Sequence, residues 1–237
     1  MIMDMGDPTR SITPTLDGPV LAALARSGRP LTVGEVAAET VRGSEIGVRR
    51  CLARLVTQGL VQATEMGRNR VHELNREHVA APIATTMADL RIELWRRMRK
   101  ELSGWKPKPL YACVFGSAAR GDGDAGSDVD LLLVHPPFPG EAKPPRKANV
   151  IDAVAAFMTA PMPASPAEAT RWPRHVDKLR ANVLLWSGNP LQVVDLSFAE
   201  WVDRRGNTAL IAEIERDAIE LVGGSIVGDL AHTNRTV

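Results

Sequence analysis

The chain has 237 residues, which is enough for one large domain or two small ones. Its hydrophobic share of 44% is that of an ordinary globular protein, so we expect real apolar cores. The formal net charge of +1 excludes an overall electric field that would by itself require nucleic acid or a membrane as a partner.

The cysteines and the N-terminus indicate the compartment. Cys51 and Cys113 lie in different apolar patterns and are too few for a disulfide framework, so we predict buried thiols in a reducing compartment. The start, MIMDMGDPTR, lacks the basic region and the apolar core of a signal peptide. No apolar run approaches the roughly 18 residues that a membrane helix needs. We therefore expect a cytoplasmic protein with no membrane partner.

Short helices are predicted after a disordered N-terminus over residues 1–10. The segment LDGPVLAALARSG has apolar residues at helical spacing and stops at Gly28. A second helix follows Thr32, a candidate N-cap with Glu35 at the capping-box spacing. A third helix starts after Ser44. Its apolar positions are Ile46, Val48, Leu52, Leu55 and Val56.

Two strands around the turn at Gly67–Arg70 complete this segment. Three helices and a β-hairpin over residues 11–76 resemble a winged helix-turn-helix domain of the bacterial regulator type. The resemblance implies a third helix in the DNA major groove and a wing tip on phosphate. The implied DNA-binding residues are Ser44, Arg49, Arg50, Arg54, Arg68 and Arg70. A module for homodimerisation or partner docking, with solvated arginines, is the alternative.

A connector helix is predicted over residues 77–108, with Pro82 near its start. Leucine and methionine recur there every four residues, and basic residues crowd its end. We expect one packed face and one solvated basic face, rather than a dedicated nucleic-acid surface. The repeating apolar residues are Leu90, Leu94, Met98 and Leu102.

The stretch FGSAARGDGDAGSDVDLLLV, residues 115–134, carries the chemistry. It holds four acidic residues and four glycines between two strand-like apolar runs. Asp128 and Asp130 are two residues apart, so in a strand they point the same way. Two adjacent carboxylates repel each other unless a cation lies between them or they share a proton. Mg²⁺ takes such oxygen ligands together with substrate phosphates.

A phosphate-binding turn is predicted just before these acids. Gly116 and Ser117 follow the first strand, and the chain then turns into a short helix ending near Arg120. Backbone N–H groups at a helix start can bind phosphate, and a glycine lets the phosphate approach closely. The Ser117 hydroxyl adds one donor. A nucleoside triphosphate bound through Mg²⁺ needs both this turn and the acids.

The pattern G-S-x-A-R-G followed by S-D-x-D-L-L-V resembles the signature of the minimal nucleotidyltransferases of the DNA polymerase β superfamily. The resemblance extends less sharply over residues 109–230, which we predict to form the nucleotidyltransferase domain. Residues 231–237 are predicted to be a tail. It implies an α/β (α+β) fold, with a mixed sheet and flanking helices. It also implies transfer of a nucleoside monophosphate from an NTP, with ATP expected, and release of pyrophosphate. Gly116, Ser117 and Arg120 are the implied nucleotide-binding residues.

The same resemblance implies a third carboxylate on a neighbouring strand. Asp195, in LQVVDLSF, is the candidate, because it is the one acid in that apolar run. It would complete a site for two Mg²⁺ ions with Asp128 and Asp130, and would accept the proton of the acceptor hydroxyl. An exposed acid on an edge strand is the alternative for Asp195.

Other readings of the acidic turn fit less well. Counted from Asp122, an EF-hand calcium loop would need Gly at Ser127 and Glu at Leu133. A Walker A loop would need Gly-Lys-Ser/Thr, which the turn lacks. Further along, NTALIAEIERDAIELV, residues 207–222, is predicted to be one amphipathic helix that closes the domain.

The acceptor is not specified by the sequence. A protein, an RNA end and a small molecule all stay open. An antitoxin-type enzyme that modifies a partner toxin is one hypothesis, because a DNA-binding module would suit autoregulation of such an operon. The alternative from another class is a transcriptional regulator whose nucleotidyltransferase fold senses nucleotide without turnover.

Overall fold

The computed structural model describes residues 2–40, 42–141, 161–203 and 208–223. The chain is a mixed α+β protein, which confirms that part of the predicted fold class. It divides into two compact units. The N-terminal unit comprises Met1–Leu94 with Gly123–Gly126, and the C-terminal unit comprises Trp95–Asp122 with Ser127–Val237. The domain limits given above remain predictions.

The N-terminal unit contains four α-helices and a three-stranded sheet among its described residues. Strand β3 lies between β1 and β2, and both pairings are antiparallel. The elements are a 3₁₀ turn at Pro8–Ser11, α1 (Asp17–Arg26), β1 (Leu31–Thr32), α2 (Val33–Glu39), α3 (Glu45–Thr57), β2 (Val61–Met66), β3 (Asn69–Leu74) and α4 (Ala81–Ala88).

Side-chain caps explain where two of these helices begin. The Thr32 hydroxyl accepts from Glu35 N at 3.3 Å, and the Glu35 carboxylate accepts from Thr32 N at 2.7 Å, which completes the predicted capping box. The Ser44 hydroxyl accepts from Gly47 N at 3.2 Å and starts α3. These contacts satisfy N–H groups that a helix start otherwise leaves without an acceptor.

The segment 1–10, predicted to be disordered, is ordered from residue 2 onwards. Met5 is fully buried, and the buried Asp7 carboxylate accepts from Arg42 Nε at 2.6 Å. Arg42 also donates to the carbonyls of Pro14 and Thr15, at 2.9 and 3.1 Å. An apolar anchor and a charged hydrogen bond therefore fix a segment whose polar composition had suggested disorder.

The predicted connector over residues 77–108 is two helices, α4 and α5 (Leu90–Ser103), separated at Asp89. Helix α4 packs on α1, where Ala81 and Ala84 join the apolar core of the N-terminal unit. The first half of this segment is therefore part of the folded N-terminal unit.

The C-terminal unit is built on a four-stranded sheet of order β6-β5-β4-β7. Strand β4 pairs antiparallel with β5 and β7, whereas β5 pairs parallel with β6. The elements are β4 (Tyr111–Phe115), α6 (Gly116–Arg120), β5 (Val129–His135), α7 (Pro166–Ser187), β6 (Leu191–Ser197), α8 (Phe198–Asp203), α9 (Thr208–Asp217) and β7 (Ile219–Val222).

The helix predicted over residues 207–222 ends at Asp217. The remainder forms β7, whose backbone pairs with β4. Ile211 and Ile214 of α9 pack with Trp201 of α8 on one sheet face. Within the described ranges, no helix combines the length and the apolar character that crossing a membrane requires.

We predict that Thr32→Ala lowers the free energy of unfolding by about 1 kcal/mol, because one N–H group at the start of α2 loses its acceptor. Urea unfolding of the full chain measures the change. Thr57→Ala is the matched control, since the exposed Thr57 hydroxyl only donates back to the Ala53 carbonyl within α3. An equal loss in both variants would contradict the capping role.

Candidate active site

The turn at Gly116 lies against the carboxylate of Asp130. Antiparallel pairing sets Phe115, the last residue of β4, opposite Asp130 of β5. Gly116 has a φ of +69°, and a Cβ built on it would lie 2.8 Å from Asp130 Oδ2. Glycine is therefore required twice, for its backbone conformation and for the space that the carboxylate occupies. The structure brings the predicted turn and the predicted acid together.

Helix α6 follows this turn with Ser117 as its second residue. Ser117 is half-buried, and Gly121 ends the helix in the left-handed conformation, with a φ of +77°. The first N–H groups of a helix have no acceptor within it, so they can donate to an anion. The same edge of the sheet thus offers N–H donors beside carboxylates.

The two aspartates of the acidic turn are half-buried neighbours. Asp128 directly precedes β5 and Asp130 is its second residue, so both side chains lie on one side of the sheet. Burial raises the pKa of Asp130, and the negative charges of Asp128 and Glu213 raise it further. A hard divalent cation such as Mg²⁺ prefers oxygen ligands, and it would relieve the repulsion between these two carboxylates. The pair is therefore suited to hold such an ion together with substrate phosphates.

Asp195 is not placed with these acids. The parallel register pairs Asp130 with Gln192 and Leu133 with Asp195, so Asp195 lies on the opposite sheet face. There its Oδ2 accepts from Trp172 Nε1 at 2.7 Å. Burial raises the pKa of Asp195, and the hydrogen bond from Trp172 opposes that shift. The expectation that Asp195 completes the metal site is therefore not met by the geometry.

Gln192 occupies the position on β6 beside Asp130. Its Nε2 donates to Asp128 Oδ2 at 3.0 Å. Sequence reasoning did not select this residue, because strand alternation identifies a face only when the pairing register is known. In the ranges that the structure describes, no group of three or more His, Cys, Asp or Glu side chains is arranged to hold a metal ion.

Arg120, expected to contact nucleotide, is engaged by carboxylates. It donates to Asp122 at 2.9 Å and to Asp217 at 2.8 Å, and lies 3.9 Å from Glu213. Hydrogen bonds from Arg216 and Arg120 lower the pKa of Asp217 to about 2. The guanidinium of Arg120 therefore ties α6 to α9.

The residues proposed for DNA recognition differ in their surroundings. Arg50 on α3 and Arg68 in the hairpin turn are exposed. Arg49 pairs with Glu45 at 2.9 Å, and Arg54 contacts Asp17 of α1. The remaining two also have partners within the unit: Ser44 caps α3, and Arg70 lies 3.9 Å from Glu65.

Comparison with known proteins finds a family match for one segment of the chain. Residues 93–179 match the family model described as a nucleotidyltransferase domain. The matched segment includes Gly116, Ser117, Asp128 and Asp130 and ends before β6. No curated protein sequence matches the chain.

One solved structure resembles part of the chain, the crystal structure of human N-acetylserotonin methyltransferase in complex with SAM. The match has 17% sequence identity and a TM-score of 0.26, and it covers 40% of this chain and 30% of that one. A likeness at that level carries no argument about this chain.

We predict that Asp130→Asn stabilises the metal-free protein at pH 8 by about 1–4 °C in Tm. The pKa of Asp130 is raised in the folded chain, so its ionisation opposes folding above that pKa. The gain should vanish as the pH falls below the pKa that Asp130 has in the unfolded chain, because its carboxyl group is then protonated in both the folded and the unfolded state. Thermal unfolding at several pH values, without divalent cations, measures it.

The control is Asp177→Asn, which removes a carboxylate with 72% side-chain exposure on α7. That variant should not gain stability at pH 8. A lower Tm for Asp130→Asn across the whole range would show that the Asp130 carboxylate is a structural group in the metal-free chain.

Proposed function

We propose that the chain is a Mg²⁺-dependent nucleotidyltransferase, which transfers a nucleoside monophosphate from an NTP, ATP being the expected donor. The observation that carries the proposal is the close approach of the Gly116 turn to the Asp130 carboxylate, where a Cβ on Gly116 would lie only 2.8 Å from Asp130 Oδ2. This approach supports the proposal because N–H donors and an acidic pair then share one sheet edge. The family match over residues 93–179 supports the general class.

In this proposal the N–H groups at the Gly116 turn and the Ser117 hydroxyl bind the terminal phosphates. Asp128 and Asp130 would hold Mg²⁺, which when bound neutralises charge on the phosphates. The oxygen of the acceptor hydroxyl then forms a bond to the α-phosphorus and its proton passes to water, while the bond from the α-phosphorus to the bridging oxygen breaks and pyrophosphate leaves. The chain contributes mainly positioning and charge stabilisation. The second ion implied by the resemblance lacks its expected ligand, because Asp195 faces the other way.

The acceptor is proposed as a class only. Protein, RNA ends and small molecules remain the candidates, and a toxin encoded beside the chain is the protein acceptor to test first. The reason is the N-terminal unit, which we propose to be a winged helix-turn-helix that binds DNA. Its support is the order of α1, α2 and α3 before the β2–β3 hairpin, with exposed Arg50 on α3 and Arg68 at the hairpin turn.

We predict that Asp128→Asn and Asp130→Asn each reduce nucleotidyl transfer by at least about 100-fold, because each removes a carboxylate proposed to hold the Mg²⁺ ion that neutralises the phosphates. The assay incubates the full chain with Mg²⁺ and each radiolabelled NTP, and follows pyrophosphate release and label on the chain, tRNA and a co-expressed neighbour protein. Asp195→Asn should stay within about twofold of the wild type, since it lies on the other face. Full transfer by Asp130→Asn would refute the proposed site.

We predict that Arg50→Ala and Arg68→Ala each weaken binding to duplex DNA and each reduce the slope of log affinity against log salt by about 1. Titrations of DNA from upstream of the chain's own gene, at several salt concentrations, measure both quantities. Arg174→Ala, which removes an exposed arginine from α7, is the control and should leave the slope unchanged. Unaltered slopes in all three variants would assign the N-terminal unit to partner docking instead.

A second candidate function is nucleotide sensing without turnover. It is favoured by Gln192, an amide at the β6 position beside Asp130, where a third acid would complete the carboxylate set. Under this alternative the wild type binds Mg²⁺–ATP and changes its DNA affinity but releases no pyrophosphate. Release that appears only in Gln192→Glu would establish a sensor limited by the missing carboxylate. Release by the wild type would exclude it.

A further inference from the structure

We infer that Gln192 is a positioning residue for Asp128: its amide holds one carboxylate oxygen so that the other is presented to the cation. The inference rests on the proposed function, because it concerns the metal ligands named there. It goes beyond that function by assigning a role to a residue that neither the turn nor the acidic motif contains.

The register explains why Gln192 can reach Asp128. Strands β5 and β6 run parallel, with Val129 paired to Leu191 and Asp130 to Gln192. Alternation along each strand puts Asp128, Asp130 and Gln192 on one sheet face. The Gln192 side chain therefore extends over the start of β5, on the side where the Gly116 turn lies.

The hydrogen bond has a defined direction. Gln192 Nε2 lies 3.0 Å from Asp128 Oδ2, within the range of a normal N–H···O bond. An ionised carboxylate only accepts hydrogen bonds, so the amide N–H must be the group that faces it. With Oδ2 held in this way, Oδ1 is the oxygen that Asp128 presents to a cation.

The backbone on either side of Asp128 is held by residues of the turn that precedes β6. Asn189, which is fully buried, donates from Nδ2 to the Ser127 carbonyl at 2.9 Å. Val129 N donates to the Pro190 carbonyl, also at 2.9 Å. The turn before β6 therefore holds the residues on both sides of Asp128, and Gln192 holds its carboxylate.

In this arrangement Gln192 does not itself bind the cation but orients Asp128, which is proposed to bind it. Carboxylates that bind metals are commonly oriented by hydrogen bonds from neighbouring side chains, and removal of such a partner typically weakens metal affinity about 10-fold to 100-fold. The loss arises because the unrestrained carboxylate must be ordered when the ion binds. Gln192 is itself exposed, so its truncation should leave the folded structure intact.

The test is Mn²⁺ binding by the full chain, followed by the electron paramagnetic resonance signal of free Mn²⁺, with Mn²⁺ alone as the probe. Gln192→Ala should weaken the affinity by about 10-fold with an unchanged Tm in the metal-free state. Gln62→Ala is the matched control, since it makes the same substitution at an exposed strand position of the N-terminal unit. It should bind Mn²⁺ like the wild type.

The variant Asp128→Asn distinguishes a failure of the proposed metal site from a failure of the positioning role of Gln192. If Asp128→Asn loses Mn²⁺ affinity and Gln192→Ala retains it within about twofold, the positioning role is refuted and the metal site stands. If Asp128→Asn binds Mn²⁺ like the wild type, the proposed metal site itself is refuted, and the role of Gln192 with it. Weakened binding in both variants supports the inference.

Discussion

The antiparallel pairing of β4 with β5 is the constraint on which the candidate site depends. By setting Phe115 opposite Asp130, it brings the residue after β4 against the second residue of β5. That residue can only be glycine, because its φ is +69° and its Cβ position is taken by the Asp130 carboxylate. The short α6 then begins where the acids converge. One strand pair therefore produces an edge with N–H donors and carboxylate acceptors, which is the combination that a metal-bound triphosphate requires.

Charge is distributed unequally around this edge. Asp130 is disfavoured as an anion by burial and by the charges of Asp128 and Glu213. Asp217, by contrast, accepts from Arg216 and Arg120, and its low pKa keeps it ionised. Arg120, the arginine of the G-S-x-A-R-G pattern, is thus held by Asp217 and Glu213, two carboxylates of α9. It does not neutralise the acidic pair, which is left with the negative charge that attracts a divalent cation.

Local features of this fold could be predicted from the sequence, and nonlocal ones could not. The caps at Thr32 and Ser44 and the glycine turn at Gly116 follow from residues within a few positions of one another. The face on which Asp195 lies could not be predicted, because the register of the parallel β5–β6 pair is set by contacts distant in sequence. The segment after Asp217 has an apolar spacing that suits a helix, but its backbone pairs with β4, far earlier in the chain. Tertiary pairing overrode the local helical pattern after Asp217, whereas at Asp195 the local strand pattern was right and only the register was missing.

The turn between α7 and β6 has a consequence for how the chain can change in evolution. Gly188 ends α7 with a φ of +77°, and the buried Asn189 ties the turn to the Ser127 carbonyl. Because side chains alternate along β6, an insertion or deletion of one residue in this turn would exchange the two sheet faces of the whole strand. It would replace Gln192 beside Asp130 by an apolar neighbour and would move the Trp172 partner, Asp195, off its face. A change in the length of the three-residue turn at 188–190 would therefore remove the contact between Gln192 and Asp128 even if every acidic residue were kept.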